Sequence, residues 1–452
     1  MGDISFNHNI FEIIERTLDN MKSKNSKIGT YYKAVLIIGL LVSTLWVVFV
    51  DAKPFSDFQY YYNLAVDIAN GLPWGDTYTS VGYPIILGGI FKLFGSSLII
   101  AKVFNLIITF ASNFCFLLIL RKLDINELDR RIIFTMFVFM PNNIMYNSIL
   151  GTELLFTLII LIITNIYFGQ IKFKYILIGI LAGLNTMIKP FFIAIFFAIF
   201  IVEILKEKKV TLAFKNSLIV LIVSIIVISP WIYRNTKLVG QFTYVSNNGG
   251  IVLYINNNSQ NKMGRWMPVE NVENSIVKTE EYKLANMTQK NKMLSKAAKA
   301  WIKSHPIQFI ELGFKRLFNT YFWGDDVLYS IYGSGISDSA RAIIFTITND
   351  IRSIIFVLAI TYILIYSVVT LGYIWKGKTQ LLNKYTLYNV ILFYMFTGVY
   401  FVTEGQGRYA FPEIFIMIYC FYCFIKLSIH KYKKHFTPLT TRKDNNIYED
   451  FR

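Results

Sequence analysis

An all-α, polytopic membrane protein of about ten transmembrane helices is the fold class this sequence predicts. Three observations predict it. Of 452 residues, 54% are hydrophobic and 17% aromatic, and the mean hydropathy is +0.47, a profile of chains that live in lipid. The apolar residues fall in runs divided by short polar connections. The basic residues behind a formal net charge of +17 cluster beside those runs, as they do in cytoplasmic membrane loops. Nucleic-acid binding is therefore set aside. Cys115, Cys420 and Cys423 all lie inside apolar runs and read as packing residues. They suggest neither a disulfide framework nor a zinc site. Four histidines are too few for a His-based metal centre.

Phe11, Ile14, Leu18 and Met21 are spaced for a short amphipathic surface helix, with a frayed tail as the alternative. Lys22, Lys24, Lys27 and Lys33 then precede the first span, Ala34–Val50, which is long enough to stay as an anchor. The first loop, 51–95, is too polar to sit in lipid. Within it Asp57, Tyr60, Tyr61, Leu64 and Ile68 recur at helical spacing, which predicts an amphipathic helix headed by an acid. Tyr83–Phe94 is too short to span and is predicted to lie in the interface or re-enter. Further runs follow at 97–120, 132–146, 154–168, 175–188, 191–205 and 218–233. Arg234–Arg341 has no spanning run and reads as a small extramembrane domain, α/β or irregular. It contains the turn signal Asn247–Gly250, a charged helical stretch over Thr279–Lys303, and an amphipathic helix over Pro306–Phe318 beginning at His305-Pro306. Membrane runs resume at 351–375, 386–402 and 410–427, and a basic tail closes the chain. The predicted division is 1–33 cytoplasmic, 34–234 membrane core, 235–340 extracytoplasmic, 341–428 membrane and 429–452 cytoplasmic tail.

Lysines and arginines concentrate in alternate connections, which places both termini inside. That topology brings Asp57, Glu153, Lys189, Arg234, Glu404 and Arg408 to the outer ends of spans. Ionisable groups at membrane depth are costly and tend to be paired or functional. Each has a structural alternative. Asp57 suits a solvated loop, Glu153 a helix dipole, Lys189 a snorkelling position, Arg234 an anchor beside Trp231, and Arg408 a pair with Glu404.

The order of motifs resembles a known family. Ser56-Asp57-x-x-Tyr60-Tyr61, then Gly82-Tyr83-Pro84 with Leu93-Phe94-Gly95, is similar to the first outer loop of GT-C glycosyltransferases. The likeness is to the bacterial branch of glycosyltransferase family 39, related to protein mannosyltransferases and the aminoarabinose transferase of lipid A. Thr152-Glu153-Leu154, Gly183-Leu184 with Lys189-Pro190, Pro230-Trp231-x-x-Arg234-Asn235 and Arg408-Tyr409-x-x-Pro412 continue the likeness across roughly Asp51–Pro412. Relatives usually show Arg-Pro where this chain has Lys189-Pro190, so a point charge replaces a bidentate fork.

The resemblance implies a sugar taken from a polyprenyl-phosphate carrier and passed to a lipid, protein or glycan acceptor outside a bacterial plasma membrane. It implies Asp57 as general base, with Glu153 supporting it or orienting the acceptor. Two neighbouring carboxylates are expected to push one pKa upward. Lys189, Arg234 and Arg408 are the candidates to hold the lipid phosphate, and Tyr60, Tyr61, Tyr83 and Tyr409 to line the substrate site. Asn247–Gly250 and Trp266 are candidates to contact acceptor or sugar, with a plain turn and a core tryptophan as the favoured alternatives. No cofactor is expected, although oxygens of Asp57 and Glu153 leave a divalent metal open. The rival readings are a transporter or flippase of lipid-linked sugars, an outer-face polysaccharide polymerase or ligase, and a non-catalytic scaffold.

Overall fold

The computed structural model describes residues 28–190 and 192–436. The expected surface helix through Phe11 and Met21, and the tail beyond residue 436, lie outside the described residues. In chain order, α1 (Thr30–Phe49) is followed by α2 (Ser56–Ala69), α3 (Gly82–Phe94), α4 (Leu98–Leu120), α5 (Glu127–Val138) and the short α6 (Pro141–Met145). Next come α7 (Glu153–Tyr167), α8 (Lys174–Thr186), α9 (Phe192–Glu207) and α10 (Val210–Val239). A helical cap comprises α11 (Gly249–Asn256), α12 (Glu280–Leu284), α13 (Met287–Ser304) and α14 (Pro306–Tyr321). The chain then returns through α15 (Asp338–Trp375), α16 (Lys384–Val402) and α17 (Ile414–Phe436).

The protein is an all-α, polytopic membrane protein. By length and composition, α1, α4, α10, α15, α16 and the stretch Gly407–His430 suffice to cross a membrane, while α3, α7 and α8 are shorter apolar helices. No strand occurs among the described residues. The α/β option for the 235–340 segment is thus replaced by helices around a small core of Tyr254, Val272, Leu294 and Ala298. α13 opens with a reciprocal capping box between Asn286 and Gln289, as its Asn-x-x-Gln spacing permits.

The run expected as a straight span over 132–146 is broken. Met140 takes an extended ψ of 124° before Pro141, as residues preceding proline tend to. The backbone groups this exposes inside an apolar bundle need partners. Buried asparagines supply them: Asn143 Nδ2 donates to Phe137 O at 2.7 Å, and Asn105 Nδ2 donates to Ile149 O at 2.8 Å. Asn147 Nδ2 donates to Asn143 O at 3.0 Å. The broken segment delivers Thr152 and Glu153 to one end of the bundle. α10, by contrast, runs through Pro230. Proline cannot donate to Ile226 O, and Ser229 Oγ takes that carbonyl at 2.8 Å instead. α15 begins well before the run that predicts it, with Ser337 Oγ accepting from Ala340 N at 3.3 Å as the cap.

Candidate active site

Asp57 sits in the first turn of α2, where the helix dipole favours a carboxylate. Its neighbour Ser56 holds a left-handed φ of 47°, a conformation that disfavours a residue bearing a Cβ and requires support from its surroundings. Asp57 Oδ2 accepts from Arg408 Nη2 at 2.9 Å, across 351 positions of sequence. The Arg408 guanidinium lies 5.6 Å from the Phe58 ring centroid and 5.5 Å from that of Tyr409, which shields it from water on two sides.

A second ion pair stands beside the first. Glu153 heads α7 and is 2% exposed, and its Oε1 accepts from Lys189 Nζ at 3.0 Å. The Lys189 ammonium is 5.4 Å from the Tyr409 ring centroid. One tyrosine ring therefore serves both cations, and its hydroxyl donates to Glu404 Oε2 at 2.7 Å. Lys189 reaches this point because Gly82 N donates to Met187 O at 2.7 Å, tying the start of α3 to the end of α8. A Cβ on Gly82 would fall 2.7 Å from that carbonyl oxygen, so the approach requires glycine.

Asp57, Tyr61, Glu153, Lys189, Glu404, Arg408 and Tyr409 line one cavity of about 540 Å3, within the range of ligand sites. Arg408 Nε and Glu153 Oε2 are buried there without a hydrogen-bond partner, a donor and an acceptor left for a ligand or water.

Several expectations change. Arg234 is not part of this cavity. Its guanidinium donates to the carbonyls of Trp74, Gly75 and Asp76 at 3.1, 2.5 and 3.2 Å, and lies over Trp231. It anchors the loop between α2 and α3. Tyr83 is fully buried against Tyr61, and Tyr60 turns aside toward Gly75; neither lines the cavity. At about 100° per residue Tyr60 and Tyr61 both fall on the Asp57 face, so spacing alone does not separate them; contact with the loop at Gly75 takes Tyr60 aside. Arg408 pairs with Asp57 rather than Glu404. The carboxylates are not left to repel one another, because Asp57 and Glu153 each have a cation of their own. Asn247–Gly250 is not a free turn: Asn247 is buried on Thr77 and Thr288, and Gly249 starts α11. Trp266 is exposed on the cavity wall instead of buried in a core.

Gln406 and Tyr329 also line the cavity without having been singled out, and Asn248 lines it from within the Asn247–Gly250 turn signal. Only the motif neighbourhood of Arg408 could have indicated Gln406. Tyr329 lies in the polar segment, where sequence carries no sign of burial. Among the described residues no group of three or more His, Cys, Asp or Glu could hold a metal ion. The three cavity carboxylates already face Arg408, Lys189 and the Tyr409 hydroxyl.

No family model matches the chain, and no curated protein matches it. Among solved structures, the chain is similar to the oligosaccharyltransferase of Archaeoglobus fulgidus. Its apo crystal form shows 11% identity and a TM-score of 0.49, covering 94% of this chain and 54% of that one. The crystal structure of its complex with Zn and sulfate gives 14% identity and 0.45, over 89% and 50%. The form tethered to an acceptor peptide gives 13% and 0.45, over 93% and 52%. The chain spans about half the length of these neighbours. Likeness at this distance assigns neither activity nor substrate to this chain.

Proposed function

We propose that this protein is a membrane glycosyltransferase of the GT-C type that moves a sugar from a polyprenyl-phosphate donor to an acceptor hydroxyl on the extracytoplasmic side. The observation that carries the reading is the pairing of Asp57 with Arg408, set beside Lys189 and Glu153 in one cavity at the end of the bundle. Asp57 uses Oδ2 for Arg408, and Oδ1 is the oxygen offered to the acceptor. As the acceptor oxygen attacks the anomeric carbon, its proton passes to Asp57, and the bond from that carbon to the phosphate oxygen breaks. The electron pair leaves on the lipid phosphate, whose charge grows. Arg408, with Nε unpartnered, and Lys189, with two further N–H groups, are fixed donors for that charge. Arg408 thus touches base and leaving group together and sets the distance between them.

The test incubates purified protein with a panel of polyprenyl-phosphate sugars and measures released polyprenyl phosphate. The wild type is expected to release it from at least one donor, and Asp57→Asn to lose about 100-fold or more of the transfer rate while still folding. Release from no donor, or undiminished transfer by Asp57→Asn, overturns the reading.

A further inference from the structure

Trp266 is 64% exposed on the wall of the cavity that contains Asp57. Among the described residues its indole has neither a hydrogen bond nor a ring partner. The other aromatic groups of the cap are engaged: Trp301 donates to Ser259 Oγ at 2.9 Å and stacks on His305, and Trp323 packs on Phe345.

The loop that presents Trp266 has no regular secondary structure, yet it is held at almost every residue. Asn258 Oδ1 accepts from Gln260 N and Asn261 N at 3.0 and 2.9 Å. Asn261 Oδ1 accepts from Met263 N and Gly264 N at 3.1 and 2.7 Å, and its Nδ2 donates to Ile255 O and Arg265 O, both at 2.8 Å. Asn319 Nδ2 donates to Met263 O at 2.6 Å, and Gly405 N donates to Gly264 O at 2.9 Å. Arg265 is paired with Asp325 at 2.7 Å. Asn258 and Asn261 are themselves buried. Fixing a loop this firmly in order to leave a large apolar ring in the open does nothing for the core. It is pre-organisation, which strengthens binding by removing the ordering cost from the ligand's side.

The ring's surroundings define the ligand. Asn248, Gln406 and Glu404 line the same cavity, so the cavity offers a flat apolar face together with amide and carboxylate groups. A pyranose matches that arrangement, with a face of C–H groups for the indole and a rim of hydroxyls for the polar side chains. We infer that Trp266 is the stacking platform of a sugar subsite at the cavity mouth, and that the sugar belongs to the acceptor, which is therefore a glycan or glycoside. This rests on the glycosyltransferase reading for the word acceptor, but not for the sugar itself.

The experiment uses the full-length protein in detergent, with saturation-transfer NMR on a panel of methyl pyranosides: glucoside, mannoside, galactoside and N-acetylglucosaminide. Wild type and Asp57→Asn are expected to transfer saturation to ring C–H protons of at least one glycoside. Trp266→Ala is expected to lose at least tenfold of the affinity, and Trp266→Phe to recover most of it. Equal binding by Trp266→Ala, or no glycoside bound by the wild type, overturns the inference. A second arm separates the sources of the sugar. For an acceptor platform, Trp266→Ala raises the glycoside concentration needed for transfer tenfold or more, a larger change than it makes in the KM for the donor found active. A donor KM raised as much as, or more than, the glycoside requirement overturns the acceptor assignment. Release from no donor, with glycoside binding intact, overturns the enzyme reading alone.

Discussion

Lys189 and Glu153 show how much of this site is decided by single charges. Glu153 is 2% exposed, and among the described residues Lys189 is its one paired cation, with 14% side-chain exposure. Taking the ammonium away leaves a buried carboxylate with no counter-charge, which costs about 3–5 kcal/mol. Lys189→Ala is therefore expected to lower the thermal midpoint in detergent by many degrees and to abolish donor use. Lys189→Arg is a different change. A guanidinium can serve both carboxylate oxygens, and Glu153 Oε2 is without a partner, so this variant is expected to match or exceed the wild-type midpoint. A Lys189→Ala protein as stable as wild type would show that Glu153 is not held as an ion. The lysine was legible in the sequence because it precedes Pro190 at a span's end. Its use of the Tyr409 ring was not, because ring contacts depend on packing between elements 220 positions apart.

At the scale of elements, the segment that carries Arg408 is held from both ends by arginines that do not line the cavity. Arg352, on α15, donates through Nη2 to Thr320 O at 2.6 Å and Gly407 O at 2.8 Å, and through Nη1 to Asp326 Oδ1 at 2.5 Å. Asp326 also accepts from Asn142 Nδ2 at 3.2 Å and from the Tyr146 hydroxyl. Gly407 meets this group so closely that a Cβ would lie 2.3 Å from Asp326 Oδ1. On the other side Arg316, fully buried, donates to Phe401 O at 2.6 Å, Asn257 Oδ1 at 2.9 Å and Asn256 O. Burial pushes its pKa down to about 10, which still leaves it charged at neutral pH. We expect Arg352 to position Arg408 and not merely to stabilise the fold, and two variants separate these roles. Arg352→Met alone strands Asp326 and should cost about 3–5 kcal/mol. Adding Asp326→Asn removes the stranded charge while keeping an acceptor for Tyr146, so the thermal midpoint should largely recover. Transfer should stay about 10–100-fold down, because Gly407 O has lost its donor and Arg408 is free to shift. Wild-type kcat and donor KM in the double variant would reduce Arg352 to a structural role. None of this was legible in the sequence. Arg352 stands at the edge of an apolar run, where a cation reads as a boundary marker, and Asp326 and Arg316 lie in a polar segment where charge is unremarkable.

For the whole molecule, hydropathy runs and the distribution of basic residues carried the fold class, because lipid enforces both. They could not carry the break at Met140–Pro141, which depends on asparagines from α4 and the broken segment itself, nor the helical state of the cap, where polar sequence has no strong period. Five of the six boundary charges meet in the cavity because span ends are brought together by topology alone; Arg234 departs because a nearby loop offers it three carbonyls. The same distribution of basic residues predicts a cavity outside the cell, and that prediction can be tested independently of any substrate. Leu284 is 86% exposed at the end of α12, and Trp375 is 91% exposed at the far end of α15. In a background with Cys115, Cys420 and Cys423 replaced by alanine, Leu284→Cys is expected to react with a membrane-impermeant maleimide on intact cells. Trp375→Cys should react only after the membrane is opened. Cap and cavity share α11, whose Ile251, Val252 and Ile255 line the cavity while Tyr254 packs in the cap core. The label on residue 284 therefore reports the side on which Asp57 lies. Labelling in the reverse order would place the cavity in the cytoplasm, where the acceptor and the lipid-linked donor would have to be sought instead.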